Sequence, residues 1–207
     1  SAVSFVILYN TNVVTYRELP TGWDSLLEPR WKGRMAVPDP LKSDMAASVL
    51  TEAAKNSEKE EFLDLLAENM QYQMPETFKE VEQGISDGRY SIGVTSEEAA
   101  KAMLAAGQDV DYIDPEEGEC FFEDGTAIRK RTPNLDASEA FVTYTTCDDT
   151  KWLLRTQLLR QPAEDVAAEN DRSDEDLKQR YSRQQEVLNI WKLIMEEKSG
   201  SAHEQEQ

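Results

Sequence analysis

Two short stretches place hydroxyls, an acid and free backbone N–H groups together at predicted helix starts. One is Ser43-Asp44-Met45, which follows Pro40-Leu41-Lys42. The other is Thr95-Ser96-Glu97. A helix start leaves its first N–H groups without intrahelical acceptors and carries a partial positive charge. Serine and threonine add hydroxyl donors, so either stretch suits a bound oxyanion such as phosphate or phosphonate. Glu97 adds an acceptor for an amine or a sugar hydroxyl. The same residues also serve as ordinary helix caps.

Other chemistry is poorly supported. The chain has no Gly-x-x-x-x-Gly-Lys loop, no Gly-x-Gly-x-x-Gly, no Gly-x-Ser-x-Gly and no His-Glu-x-x-His. The single histidine, His203, lies in a polar tail, so a Ser/His or Cys/His pair would depend on that tail. Cys120 and Cys147 form neither a Cys-x-x-Cys nor a Cys/His cluster, so no zinc site and no disulfide framework is expected. Their pairing is open. The chain reads as a non-enzyme without metal or cofactor. A metal-dependent hydrolase would have to draw its carboxylates from Asp39, Asp44 and Glu97.

The 207 residues carry 22 Lys+Arg against 41 Asp+Glu, a formal charge of −19. Nucleic acid is excluded as a partner, because phosphate backbones need a basic face. Residues 1–50 are neutral, whereas 51–100 and 101–150 each hold four basic and twelve acidic side chains. Such charge reads as solvated helix surface. No apolar run reaches the roughly 18 residues of a membrane span, and the opening Ser1-Ala2-Val3 has no basic leader region.

The elements that hold the two stretches follow from periodicity. Residues 3–9 are an apolar β run. Pro20-Thr21-Gly22-Trp23 is a turn, and Asp24 opens a short helix limited by Pro29. Residues 34–37 form a strand stopped by Pro38-Asp39-Pro40. Ser43 caps a helix over 44–55. A second helix is expected from a cap at Ser57, boxed by Glu60, with Phe62, Leu63, Leu65 and Leu66 on its apolar face. A third starts near Pro75 and repeats Phe78, Val81 and Ile85 until Asp87-Gly88. Residues 90–94 are a strand, 97–106 a helix with Gly107 after it, 110–113 a strand, and Pro115-Glu116-Glu117-Gly118 a turn. Strand, helix and strand with short joints predict α/β architecture with parallel pairing. Beyond a strand over 121–128 the pattern is helical, over 136–146, 150–159 and 173–198. The last helix has the stripe Leu177, Tyr181, Leu188, Trp191, Met195. Residues 161–172 read as a connection and 199–207 as a disordered tail.

The order of these pieces resembles a known family. Tyr9-Asn10-Thr11-Asn12, then Trp23-Asp24-Ser25-Leu26-Leu27-Glu28-Pro29-Arg30-Trp31-Lys32-Gly33-Arg34-Met35-Ala36-Val37, then Gly88-Arg89-Tyr90-Ser91-Ile92-Gly93-Val94-Thr95-Ser96-Glu97 and Ala140-Phe141 are similar to bacterial extracellular solute-binding proteins. The subgroup is the one serving ABC importers of ferric iron, aminoethylphosphonate and sugar phosphates. The resemblance implies a type II periplasmic-binding fold, with one complete lobe plus the C-terminal part of the other. Residues 1–120 would be the second lobe with a first hinge strand at about 5–10. Residues 121–198 would hold the second hinge strand and helices returning to the first lobe. The N-terminal part of the first lobe has no counterpart here.

The resemblance further implies a small-molecule solute, an ABC permease as partner, and a periplasmic or extracellular location, lipid-anchored or free in the full-length protein. Ferric-binding members use adjacent tyrosines. Val94-Thr95-Ser96-Glu97 has none, which favours a phosphonate or sugar phosphate held by Ser43, Asp44, Met45, Thr95, Ser96 and Glu97, with a polyamine or other cation left open. A ligand-sensing receptor domain is the alternative. An incomplete first lobe would leave an apolar face on residues 129–160, to be covered by a homodimer or a segment swap.

Overall fold

The apolar run at the start of the chain becomes the central strand β1 (Ala2–Asn10), buried along almost its whole length. The computed structural model describes residues 1–123, 125–157, 160 and 174–205. Four further strands join β1 in one sheet: β2 (Met35–Ala36), β3 (Ile92–Ser96), β4 (Val110–Ile113) and β5 (Cys120–Glu123). The order is β2-β3-β1-β4, with β5 also on β1.

β2 and β3 are parallel, as expected, with Met35 opposite Ile92 and Ala36 opposite Gly93. The expectation of parallel pairing fails elsewhere. β1 runs antiparallel to β3, β4 and β5. β2, β3 and β4 share one direction, but β1 is inserted between β3 and β4, so these two, consecutive in sequence, are not neighbours in the sheet. β1 pairs with β3 over residues 5–9 and with β4 over 7–10. Its N-terminal half, residues 2–5, pairs with β5. Pairing between β1 and β5 thus begins ahead of the 5–10 span expected for a first crossing, and β5 ends at Glu123 rather than 128.

Alternation along β1 divides the core. Phe5 and Ile7 face a large cluster with Val49, Leu50 and Ala53 of α1 (Asp44–Asn56) and Phe62, Leu63 and Leu66 of α2 (Phe62–Asn69). Val6 and Leu8 face a smaller cluster with Val81 and Ile85 of α3 (Phe78–Ser86) and Ala100 and Met103 of α4 (Glu97–Ala105). This is the period of two expected of a strand covered on both faces. Gly93 is needed where α3 crosses β3. A Cβ there would lie 2.7 Å from the Ala36 carbonyl and 2.7 Å from Val81 Cγ1.

The Trp-Asp segment forms the 3-10 turns Asp24–Leu27 and Pro29–Trp31, and its role is structural. Trp23 and Trp31 are buried. The Glu117 carboxylate accepts the N–H groups of Trp23 (2.9 Å) and Asp24 (3.0 Å), and the Trp23 indole donates to the Gly118 carbonyl (3.0 Å). Asn69, on α2, donates to the carbonyls of Leu26 and Glu28. Ser57 does not cap α2. It is the residue after α1, its hydroxyl donates to Asp24, and α2 begins only at Phe62. A tertiary acceptor wins over the local capping box.

The later helices are α5 (Leu135–Thr146), α6 (Asp148–Thr156) and α7 (Asp174–Gln205). α7 docks through Trp191, fully buried, with Val187, Ile194 and Met195 beside it. Of the expected stripe, Trp191 and Met195 pack on the core, whereas Tyr181 is 63% exposed. Val187, Trp191 and Ile194 offer the more apolar face at the i, i+4, i+7 spacing. The helix also continues through Gln205, past the expected start of the tail at 199, because Glu196, Glu197, Lys198 and Ala202 are strong helix formers. Residues 158, 159 and 161–173, with the predicted connection, lie outside the described residues, as do 206 and 207.

Candidate functional site

The two stretches singled out in the sequence arrive at one end of the sheet because β2 and β3 are parallel neighbours. Past β2, Pro38 and Pro40 cannot continue a ladder. The Asp39 carboxylate accepts the Leu41 N–H (3.0 Å), while its carbonyl accepts those of Lys42 and Ser43. This turn sets Ser43 at the N-cap of α1, where its hydroxyl accepts from Ala46 N–H (3.2 Å). β3 runs straight into α4, and the Ser96 hydroxyl accepts from Ala99 N–H (3.1 Å). Asp44, Met45, Glu97 and Glu98 occupy the first turns, where N–H groups have no intrahelical acceptor. Both starts therefore present donors at the carboxyl ends of adjacent parallel strands, where open α/β sheets bind ligands.

The acids of the α4 start are neutralised by partners. Glu97 accepts from the Ser4 hydroxyl of β1 (3.1 Å) and pairs with Lys101 (2.6 Å), which raises the Lys101 pKa above its ordinary value. Glu98 pairs with Arg160 (2.8 Å). Asp44 is exposed at the α1 start, and its carbonyl accepts from Gln184 (3.4 Å). Met45 is half-buried against the larger core cluster.

Thr95 stands apart from the other five. Its register opposite Val6 turns it toward α3, it is fully buried, and its hydroxyl donates to Glu82 (2.7 Å). Burial raises the Glu82 carboxyl above the usual range, while the Thr95 bond and the nearby Lys79 pull the other way. Ser96, opposite Phe5, lies on the face shared with α1. The structure thus brings Ser43, Asp44, Met45, Ser96 and Glu97 to one end of the sheet and directs the Thr95 hydroxyl to the opposite layer.

Sequence reasoning missed Ser4, Glu82, Lys101 and Arg160. Their distances in sequence from the residues they touch run from 4 to 93, and only Lys101, at i+4 from Glu97, left a local signal. It also missed an acidic cavity of about 400 Å³ lined by Asp24, Asn56, Glu58, Glu116 and Glu117. Among the described residues, no group of three or more His, Cys, Asp or Glu is arranged to hold a metal ion. No helix among them is long and apolar enough to cross a membrane.

A family model described as bacterial extracellular solute-binding protein matches residues 1–185. Curated proteins provide no match to the chain. Several solved structures share the fold. The ferric binding protein from Campylobacter jejuni superposes with a TM-score of 0.75 at 14% identity, over 94% of this chain and 68% of that one. The periplasmic binding protein AfuA from Actinobacillus pleuropneumoniae, with exogenous fructose-6-phosphate bound, gives 0.74 at 16%, over 94% and 67%. A two-component system protein that mediates signal transduction gives 0.68 at 21%, over 86% and 60%. The chain spans 60% of the length of that protein and 51% of the length of the periplasmic binding protein P5PA, to which it is similar with a TM-score of 0.64 at 23% identity over 75% of this chain.

Proposed function

The chain belongs to the bacterial extracellular solute-binding proteins, and on that premise we propose that it captures a small solute outside the cytoplasm and passes it to an ABC permease. The fold is that of type II periplasmic-binding proteins, with β1 and β5 as the strands that cross between lobes. Closure of the lobes on the solute is the functional event, and no reaction is catalysed.

The solute class is a phosphonate or a sugar phosphate. One observation carries this reading: two capped helix starts stand at the carboxyl ends of the parallel pair β2 and β3. The pairing of Glu97 with Lys101 and of Glu98 with Arg160 supports it, since unpaired acids there would repel an anion. The fructose-6-phosphate bound to AfuA is of this class. Ser43, Asp44, Met45, Ser96 and Glu97 would contact the solute, and Thr95 would act through Glu82 in the layer behind.

The test is titration calorimetry with aminoethylphosphonate, fructose 6-phosphate, inorganic phosphate and ferric ion, on the chain and on a Ser43→Ala/Ser96→Ala variant. A phosphorylated or phosphonate compound should bind, with a loss of roughly ten-fold or more in the variant, because a hydrogen bond to a charged group is worth about 1.5–3 kcal/mol. Binding of ferric ion alone, or affinity unchanged in the variant, refutes the assignment. A ligand-sensing receptor domain would bind the same solute. Reconstitution with the permease separates the two, because only a transport component stimulates its ATPase.

A homodimer or segment swap is part of the same proposal. α5 and α6 contain no buried residue, and Phe141, Tyr144 and Trp152 are each more than half exposed. A monodisperse monomer by light scattering without detergent overturns it.

A further inference from the structure

α5 and α6 pack on each other as a hairpin joined at Cys147. With nothing buried in either helix, the hairpin gains little from the core that holds the rest of the chain. It enters through residues 125–131, which are exposed and carry no strand or helix. At its other end, the chain is tied down. The Gln157 N–H donates to the Leu153 carbonyl and the Arg160 N–H to the Leu154 carbonyl (2.9 Å), so Arg160 is fixed to the end of α6. Its guanidinium Nε donates to Glu98 Oε2 at 2.8 Å, and the two side chains are 28% and 33% exposed.

Glu98 is a firm anchor. It sits in the first turn of α4, beside the Ser96 cap and beside Glu97, which reaches Ser4 on β1. Arg160 links the two bodies across 62 residues of sequence.

We propose that Arg160 and Glu98 form an ionic strap that holds the α5–α6 hairpin at a fixed angle to the sheet. The strap is independent of which solute is bound. It makes hairpin orientation sensitive to ionic strength, because a partly exposed pair is screened by salt.

Cys147 allows a direct test in the intact chain, since it is partly exposed while Cys120 is buried. A dye on Cys147 reports segmental motion through its nanosecond anisotropy decay. Glu98→Gln and Arg160→Gln should each raise the detached population roughly five-fold, and the double variant should do no more than either single one. Wild type should move the same way between 0.05 and 0.5 M salt. Unchanged segmental motion in both single variants, or additive effects in the double, overturns the strap. If a variant loses its circular dichroism signal, the salt series on the unmodified chain decides alone. A flat series there also overturns it. None of these readouts uses a ligand, so a failed solute assignment leaves the result intact.

Discussion

Gly22 and Glu117 should behave as one energetic unit. A Cβ built on Gly22 would overlap the Glu117 carboxylate, the group that accepts from the Trp23 and Asp24 N–H groups. Gly22 is not in the left-handed region, so alanine fits its backbone. The cost of Gly22→Ala therefore arises only by displacing Glu117. Two charge-assisted bonds are worth roughly 1.5–3 kcal/mol each when well shielded. Glu117 is half-buried, so about 2 kcal/mol for the pair is a fair discount, and Glu117→Ala should cost that much. Gly22→Ala should lose the same about 2 kcal/mol and regain about 0.5 from the stiffer unfolded chain. In the Glu117→Ala background nothing remains to displace, and Gly22→Ala should turn slightly stabilising. The double variant should then lie about 1.5 kcal/mol below wild type, where additivity would give about 3.5. Urea denaturation of the four proteins measures the cycle, and at this chain length about 2 kcal/mol is roughly 4–8 °C in Tm. Additivity within about 0.5 kcal/mol, or a Gly22→Ala protein as stable as wild type, would refute the reasoning.

Four further outcomes are expected. Gly93→Ala should cost about 1–3 kcal/mol, because the added methyl meets a backbone carbonyl that cannot yield; a neutral denaturation midpoint contradicts the close approach of α3 and β3. Cys147 should react with maleimide in the native protein, its thiol lowered by the Thr150 hydroxyl, whereas burial pushes Cys120 up to about 12 and keeps it inert. The Cys120 contribution is complete below the unfolded pKa and is lost as pH rises toward 12. Stability should therefore fall above about pH 9 by up to about 1.4 kcal/mol per unit, and Cys120→Ala should remove that slope. Glu82→Gln keeps an acceptor for Thr95 and removes a buried charge. Since burial raises the Glu82 pKa, its favourable part is present in acid and lost as pH rises through the folded value. The variant should match or exceed wild-type stability at pH 7, with the gap narrowing on acidification, and a clear loss at pH 7 would overturn that assignment.

Local signals in the sequence were good guides to local structure. Ser43 and Ser96 cap where their neighbours said they would, Gly107 follows α4 in the left-handed region, and the 115–118 turn closes on itself. What failed was set by distant partners. Ser57 carries a fair capping box, but Asp24, 33 residues away, takes its hydroxyl. The antiparallel place of β1 between β3 and β4 leaves no trace in a run that is apolar on both faces. At the candidate site the helix starts were legible as chemistry. The orientation of Thr95 was not, because it depends on a one-residue register against Val6.

The position of β1 also sets an order of events during synthesis. This strand leaves the ribosome some 80 residues before β3 and some 110 before β5, yet it pairs with both. At roughly 5–20 residues per second, it waits on the order of 4–20 s for the strands that pair with it in this sheet. Assembly of the sheet is thus a late, long-range step that loop closure makes slow. For that interval the open edges of β1 can template pairing with another copy of itself.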